Sequence, residues 1–106
     1  MKTAPAPLTF NEQCYKLLST VPKGKITTYK YLAEALGTKA YRAVGNAMNK
    51  NPYPRDLVPC HRVVNSDGRL GGYAGKTSEK IARLHDEGVE VFDGLIVDFK
   101  NKLHTF

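Results

Sequence analysis

Residues 27–49, TTYKYLAEALGTKAYRAVGNAMN, decide the fold of this chain because they predict two helices joined by a short turn. Thr27 or Thr28 can cap the first helix, which runs to Leu36, and Gly37 suits the left-handed conformation just beyond its end. The second helix is predicted from position 39 to about position 49 and has an apolar and a polar side. This pattern is typical of a helix-turn-helix. Two packed helices of some other small α+β domain fit it as well.

The second helix divides its side chains clearly between the two sides. Its apolar side carries Ala40, Ala43, Val44, Ala47 and Met48, and its polar side carries Arg42, Asn46 and Asn49. We therefore expect the apolar side to face the core and the polar side to face a partner or solvent.

The chain before these helices predicts an arm, a helix and a turn. Residues 1–8, with prolines at positions 5 and 7, predict an extended arm. The segment 9–12, Thr-Phe-Asn-Glu, has capping-box spacing for a helix that ends near Thr20. Cys14 lies on the apolar stripe of this helix, which is typical of a small core residue. Residues 22–25 then predict a turn before a short extended segment at 26–27.

The chain after these helices predicts a loop, two hairpins and one more helix. Two prolines make residues 51–56 a loop. The segments 63–64 and 69–70 flank an Asp-Gly compatible with a type I′ turn, which predicts a hairpin. A helix from Thr77 to Glu87 ends at Gly88, and residues 89–98 predict a last hairpin around a turn at 92–95.

Length and composition predict a single domain over residues 1–106, in which residues 89–106 form a C-terminal hairpin and tail. Sixteen Lys and Arg against ten Asp and Glu give a net charge of +6. This favours an anionic partner such as nucleic acid, although a solvated basic surface without a partner is compatible with it too. Two cysteines form no disulfide framework, and neither a secretory signal nor a membrane span is evident. We therefore expect a cytoplasmic protein with no membrane contact.

The loop leads to Pro59-Cys60-His61-Arg62-Val63, which sets a thiol beside an imidazole and a guanidinium. A free cysteine with a pKa of ~8.5 is only slightly ionised at neutral pH unless a base or positive charge lies nearby. Adjacent residues on an extended strand point to opposite faces, so Cys60 and His61 meet only if the chain turns there or a water bridges them. A buried structural cysteine beside a surface histidine is the alternative for a Cys-His pair alone.

This pentapeptide resembles the active-site signature of the O6-alkylguanine-DNA alkyltransferases, and the resemblance extends from about Phe10 to Gly88. It covers the C-terminal, DNA-binding and catalytic domain of that family. The resemblance implies a small α+β, winged-helix-like domain with a helix-turn-helix, an active-site loop and short β-hairpins. It implies direct-reversal DNA repair, in which a flipped-out O6-alkylguanine, or an O4-alkylthymine, loses its alkyl group to Cys60 in a single turnover. We expect a monomer that acts on double-stranded DNA containing alkylated bases and needs no cofactor, metal or obligate protein partner.

The resemblance also implies roles for individual residues. Cys60 would be the nucleophile, His61 the base reached through a water, Glu87 the carboxylate that orients it, and Asn51 a brace of the cysteine turn. The DNA-binding residues would be Thr28, Tyr29, Arg42, Ala43 and Gly45, with Tyr29 crowding a phosphate and Arg42 replacing the flipped base. The substrate pocket would be lined by Val63, Tyr73, Ala74 and Lys80.

Plainer roles remain open for four of these residues. Glu87 could be an ordinary helix-end carboxylate, Tyr73 a hydrophobic lid, Asn51 a loop cap and Lys80 a solvated charge.

The chain also departs from the family pattern at several points. We expect no N-terminal domain of the kind common in this family, and the spacing from Asn51 to Cys60 is one residue longer than usual. Ala74 replaces a frequent serine, and Tyr41 is bulkier than the small residue often found before the arginine. These differences leave the conformation of the loop and the fit to a DNA groove open.

Two rival functions fit parts of the sequence. One is a non-catalytic protein, resembling the alkyltransferase-like proteins, that binds alkylated bases and flags them for another repair pathway. Those proteins carry another residue, often tryptophan, in place of the cysteine, so Cys60 argues against this function. The other is a zinc site, for which the spacing between the candidate ligands is wrong. Those candidate ligands are Cys14, Cys60, His61 and His85.

Overall fold

The computed structural model describes residues 8–72 and 77–106. Within those ranges the helices are α1 (Phe10–Leu18), α2 (Tyr29–Ala35), α3 (Tyr41–Asn49), α4 (Thr77–Asp86) and α5 (Phe99–Lys102). The strands are β1 (Thr27–Thr28), β2 (Val63–Val64), β3 (Val91–Phe92) and β4 (Leu95–Ile96). A 3₁₀ turn, Cys60–Arg62, immediately precedes β2. The α+β class is confirmed. No helix in the described ranges is long and apolar enough to cross a bilayer.

Helix α1 begins with the predicted capping box. The backbone N–H of Glu12 donates to Thr9 Oγ1 at 3.2 Å, and the backbone N–H of Thr9 donates to Glu12 Oε1 at 3.0 Å. These bonds satisfy two of the free donors at the start of the helix. The helix ends at Leu18, two residues before the expected end. Cys14 is fully buried on its inner face, which confirms the prediction of a core residue.

Helices α2 and α3 form the predicted helix-turn-helix and pack against α1. Thr28 caps α2, because its Oγ1 accepts a hydrogen bond from the backbone N–H of Tyr31 at 2.9 Å. Gly37 has a φ of +74°, as predicted for the residue that ends this helix. Helix α3 begins two residues later than predicted, because Ala40 adopts a non-helical ψ of 63° and donates its N–H to Thr38 Oγ1.

Two apolar clusters form the core. The first joins α1, α2 and α3 to the segment around the 3₁₀ turn, and the second joins the sheet to α4 and the C-terminal segment. The first contains Cys14, Tyr15, Leu18, Val21, Leu32, Ala33, Val44, Ala47, Met48, Val58, Cys60 and Val63. The second contains Ile26, Val64, Leu70, Leu84, Val89 and Ile96, with Val91 and Phe99 packed against it. The predicted apolar side of α3 therefore faces the core through Val44, Ala47 and Met48.

The predicted hairpin between segments 63–64 and 69–70 is wrong. Strand β2 pairs in parallel with β1, with Thr27 opposite Val63, while Arg69 forms an isolated antiparallel bridge with Leu95. Both residues of β1 and both of β2 are buried, which is typical of a parallel pair covered on both faces. The type I′ prediction also fails here, because it needs two residues with positive φ and only Gly68 of the Asp-Gly pair has one.

The last predicted hairpin is confirmed. Strands β3 and β4 pair antiparallel, and the two residues between them, Asp93 and Gly94, have φ values of +52° and +76°. Positive φ at both positions is what a type I′ turn requires.

The C-terminal tail contains structure that the sequence analysis did not predict. Helix α5 follows the hairpin, and Leu103 then lies parallel to Ile26. Ile26 N–H donates to the carbonyl of Lys102 at 2.9 Å, and His104 N–H donates to the carbonyl of Ile26 at 2.7 Å. The tail therefore extends the edge of the β1–β2 sheet.

Candidate active site

The chain turns at Cys60. Arg62 N–H donates to the carbonyl of Pro59 at 2.9 Å and closes the 3₁₀ turn, while Cys60 N–H donates to the carbonyl of Val58 at 2.9 Å. A turn at this point is one of the two conditions under which the thiol of Cys60 and the imidazole of His61 can act together. Only 3% of Cys60 is exposed, so its thiol is held within the packed interior.

His61 and Arg62 both bind the carboxylate of Glu87, which follows the end of α4. His61 Nε2 lies 3.0 Å from Glu87 Oε2. Arg62 binds the same carboxylate through two hydrogen bonds. Its Nε donates to Oε1 at 2.8 Å, and its Nη2 donates to Oε2 at 2.6 Å. Its Nη1 donates to the carbonyl of Val21 at 2.7 Å. This bidentate geometry is the strong form of an arginine–carboxylate pair, so Glu87 is held in place as more than an ordinary helix-end carboxylate.

The protonation states of this cluster follow from burial and hydrogen bonding. Burial by itself would raise the pKa of Glu87, but the hydrogen bonds from Arg62 and His61 outweigh it and hold that pKa below 4.5. Burial lowers the pKa of His61 below 6.5, although Glu87 acts in the opposite direction. At neutral pH the imidazole is therefore uncharged beside an ionised carboxylate.

The tautomer of His61 follows from the chemistry of its partner. An ionised carboxylate only accepts hydrogen bonds, so Nε2, which faces Glu87, must carry the proton. Nδ1 then holds the basic lone pair, and it is buried without a hydrogen-bond partner in the part of the chain that the structure describes. The imidazole is thus oriented to accept a proton through Nδ1.

Asn51 braces the loop that enters the site. Its Nδ2 donates to the carbonyl of Val58 at 3.1 Å, and its Oδ1 accepts from Tyr53 N–H at 2.9 Å. Within the loop, the N–H groups of Leu57 and Val58 both donate to the carbonyl of Pro54 at 3.0 Å. These bonds close residues 51–58 into a compact turn two residues before Cys60.

Lys80 is fully buried beneath the site. Its Nζ donates to the carbonyls of Val63, Leu70 and Gly72 at 2.7, 2.6 and 3.0 Å. Burial lowers its pKa to about 8, and negative charge at Cys60 acts in the opposite direction. Lys80 is therefore not a solvated charge. It joins strand β2 to residues 70–72.

Of the residues assigned to the substrate pocket, the structure describes Val63 and Lys80. Val63 N–H donates to the carbonyl of Cys60, and the carbonyl of Val63 accepts from Lys80. Tyr73 and Ala74 lie outside the described residues.

An open groove runs beside α3. One wall carries Tyr29, Lys30, Tyr41, Arg42 and Gly45, and the other carries Asn65, Ser66 and Asp67, around a cleft of about 560 Å³. Arg42 is exposed, Ala43 is half-buried, and a side chain at Gly45 would meet open space. Tyr29 donates its hydroxyl to the carbonyl of Gly72 at 3.2 Å, and burial raises its pKa.

Thr28 does not lie on the surface of this groove. It is 1% exposed, and its hydroxyl is engaged in capping α2. The side chain of Thr28 therefore caps α2 rather than lining the groove, and a DNA contact by this residue stays a prediction.

Two sets of residues important for the site were missed by the sequence analysis. Arg62 stands in the quoted pentapeptide, and its place beside His61 was the signal that could have identified it. For residues 65–67 the sequence predicts only a hairpin turn, and nothing local in it shows that they line a groove with α3.

The zinc alternative finds no support in the geometry. Within residues 8–72 and 77–106, no group of three His, Cys, Asp or Glu side chains is arranged to hold a metal ion. Cys14 and Cys60 are both free thiols.

The fold and the site define a helix-turn-helix domain that carries a buried cysteine, histidine and glutamate beside an open groove. Residues 9–89 match the family model described as the DNA-binding domain of 6-O-methylguanine DNA methyltransferase. The chain belongs to this family, as the resemblance of the pentapeptide and its surroundings indicated.

Curated relatives agree with this family. A methylated-DNA-protein-cysteine methyltransferase of Methanosarcina barkeri is 47% identical over 75 residues, which cover 70% of this chain and 47% of that protein. One of Saccharolobus islandicus is 42% identical over 91 residues, covering 86% of this chain and 56% of the relative. The chain thus spans about half the length of these relatives.

Two solved structures, one of a methyltransferase and one of Atl1 bound to DNA, share this fold. The O6-methylguanine-DNA methyltransferase of Pyrococcus kodakaraensis superposes with a TM-score of 0.70 at 47% identity, covering 77% of this chain and 47% of that one. S. pombe Atl1, in complex with damaged DNA containing O6-carboxymethylguanine, superposes with a TM-score of 0.78 at 31% identity. That match covers 92% of this chain and 95% of Atl1.

Proposed function

We propose that this protein repairs DNA directly, by transferring the alkyl group of O6-alkylguanine in a duplex to the sulfur of Cys60. The observation that carries the proposal is the neutral, oriented imidazole of His61, which follows Cys60 in a tight turn and is held by an ionised Glu87. A chain of this family with a cysteine at that position has both a nucleophile and a base for the reaction.

The first step is removal of the thiol proton. The proton of Cys60 passes to His61 Nδ1, directly or through a water, and the imidazolium that forms is stabilised by the carboxylate of Glu87. Arg62 keeps that carboxylate ionised and fixed. The role of Glu87 is thus to orient His61 and to stabilise its charged form.

The second step is in-line displacement at the alkyl carbon. A bond forms between the sulfur of Cys60 and the alkyl carbon while the bond from that carbon to O6 breaks, and its electron pair stays on the guanine, which takes up a proton. The products are guanine and an S-alkylcysteine. A thioether does not hydrolyse in water, so we propose that each protein molecule acts once.

The target base must leave the duplex to reach a buried sulfur. Flipping a base costs a few kcal/mol, and damaged bases flip most easily. We propose that the open groove binds the duplex, with Tyr29 against the phosphate of the flipped nucleotide. Arg42 enters through the minor groove and fills the gap in the stack, and Ala43 and Gly45 permit close approach of the helix.

The whole site comes from one chain, so we propose that the protein acts as a monomer. Its free thiols, Cys14 and Cys60, are compatible with the reducing cytoplasm.

A stoichiometric repair assay tests this function. Increasing amounts of protein are added to a duplex that contains one O6-methylguanine, and restored guanine is measured at completion. We expect restored guanine to rise in proportion to the protein and to stop at one per protein molecule, with no change in a duplex without the lesion. Turnover beyond one lesion per molecule, or no restored guanine with folded protein, would contradict the proposal.

The second candidate is lesion binding without transfer. The match to Atl1, which covers 95% of that protein, favours it. In that case the protein would bind the O6-methylguanine duplex more tightly than undamaged duplex, yet leave the methyl group on the base. The same assay, read together with a binding measurement, separates the two functions.

A further inference from the structure

The C-terminal segment contacts the wall of the groove, although it lies outside the matched family region. That region ends at residue 89, whereas β3, β4 and α5 span residues 91–102. We call residues 91–102 the C-terminal brace and residues 65–70 the groove turn. The inference below rests on the proposed function, because it concerns how the groove is held for DNA.

The groove turn is closed by its own hydrogen bonds. Asn65 N–H donates to the carbonyl of Arg69 at 2.9 Å, and Gly68 N–H donates to the carbonyl of Asn65 at 3.0 Å. Three residues of this turn, Asn65, Ser66 and Asp67, line the same groove as Arg42. Any shift of the turn therefore changes the width of the groove.

Two further hydrogen bonds fix the turn to the brace. Ile96 N–H donates to the carbonyl of Gly68, and Leu70 N–H donates to the carbonyl of Gly94, both at 2.9 Å. Arg69 lies opposite Leu95 in an antiparallel bridge. The groove turn is thus paired with the edge of the C-terminal hairpin through one β-bridge, and its position depends on that hairpin.

Phe99 of α5 packs directly behind the turn. A Cβ added to Gly68 would lie 3.4 Å from Phe99 Cγ, and Gly68 has a φ of +89°. The aromatic ring therefore occupies the space just beyond the position that a Cβ at residue 68 would take, and leaves no room there for a larger side chain. It also packs against the second core cluster, which anchors α5 to the domain.

We infer that Phe99 is a positioning residue for DNA binding: through Gly68 it holds Asn65, Ser66 and Asp67 at the correct distance from Arg42. The chemistry at Cys60 does not depend on this contact to the same degree. His61, Arg62 and Glu87 are fixed by their own hydrogen bonds and by Val21, all outside the brace.

Two substrates of Cys60 should respond differently to a change at Phe99. A duplex that contains O6-methylguanine needs the groove, whereas free O6-benzylguanine, a base without phosphates, needs only the site around Cys60. For Phe99→Ala we expect the rate constant with the duplex to fall by about 10-fold, since small displacements of positioning groups have effects of this size. The rate constant with the free base should change by less than about 3-fold.

Phe92→Ala is the matched control. Phe92 lies in the same segment but is 77% exposed and outside both core clusters, so its loss should leave both rate constants unchanged. Phe99→Tyr keeps the ring and should restore most of the duplex rate. If Phe99→Ala does not fold, as judged by thermal melting, Phe99→Leu takes its place, with a smaller loss expected for the duplex alone.

Equal losses on both substrates would overturn the inference, because they would mean a general structural role. An unchanged duplex rate would overturn it as well. If the unaltered protein transfers nothing to Cys60, the proposed function fails. The inference is then judged by affinity alone, and Phe99→Ala must weaken binding to the lesion duplex about 10-fold while Phe92→Ala does not.

Discussion

The cluster around Glu87 and the groove beside α3 are built differently. In the cluster, Glu87 and the ring of His61 are 9% and 2% exposed, and both bind neighbours at hydrogen-bond distance. In the groove, Arg42 and Tyr41 are exposed and line an open cleft. The cluster is thus preorganised by the protein, whereas the side chains of Arg42 and Tyr41 face solvent. Changes in the cluster should affect rate and stability, and changes in the groove should affect affinity.

Among the variants that should affect the cluster and the groove differently, Cys60→Ser has the largest expected effect. A serine hydroxyl is far less ionised and less nucleophilic than a thiol, so we expect the transfer rate to fall by at least about 10³-fold. Affinity for the lesion duplex should remain within about 3-fold, because the groove is unchanged. Single-turnover transfer and equilibrium binding measure the two quantities. Comparable transfer by the serine variant would remove the nucleophilic role from Cys60.

A second test concerns the proton acceptor. Because the pKa of His61 lies below 6.5, the transfer rate should be level near neutral pH and fall as His61 becomes protonated in acid. In Glu87→Gln the imidazolium loses its anionic partner, so we expect the level rate to fall by about 10²-fold. The acid limb should also move to lower pH, since Glu87 raises the pKa of His61. An acid limb that stays in place, measured as rate against pH, would contradict the assigned role of Glu87.

The structure also predicts the contribution of Arg62 to stability. Arg62→Met leaves the buried carboxylate of Glu87 without its bidentate partner, and breaking such a pair costs about 3 kcal/mol. Arg83→Met breaks the ion pair with Glu79, in which the side chains of Arg83 and Glu79 are 41% and 48% exposed. This change should lower the free energy of unfolding by less than about 1 kcal/mol. Urea unfolding of both variants gives the comparison. Equal costs would mean that the Arg62 pair is no stronger than a surface pair.

The smallest expected effect lies in the groove. Arg42→Ala should weaken binding to the lesion duplex by about 10-fold, the usual range for losing one arginine contact to DNA. The melting temperature should stay close to that of the unaltered protein, because Arg42 is exposed. Lys39→Ala, an exposed basic residue just before α3, controls for loss of charge alone. Equal weakening by both variants would mean that Arg42 acts only as a positive charge.

The parts of this fold that the sequence predicts are the parts with local causes. The capping box at Thr9, the cap at Thr28 and the left-handed Gly37 each involve residues within a few positions of one another. The turn at Asp93 and Gly94 likewise depends only on residues close to it in the sequence. The pentapeptide around Cys60 also predicts the thiol and the imidazole of the candidate site from adjacent residues.

The parts that were missed depend on contacts between distant segments. Strand β2 pairs with β1 because both are buried on two faces, and no local signal shows which segments will meet. Arg62 was visible in the pentapeptide, but its bonds to Glu87 and Val21 come from elsewhere in the chain. Helix α5 is a single short turn whose Phe99 packs against the second core cluster and near Gly68, far from it in the sequence.

The most direct test of the account is the mass of the peptides after reaction with a duplex containing O6-methylguanine. Cys14 serves as an internal control, because it is fully buried in the core and burial raises its pKa to about 11. We expect one added methyl group on the peptide that bears Cys60 and none on the peptide that bears Cys14. Folded protein that binds the lesion but leaves the Cys60 peptide at its original mass would contradict the account.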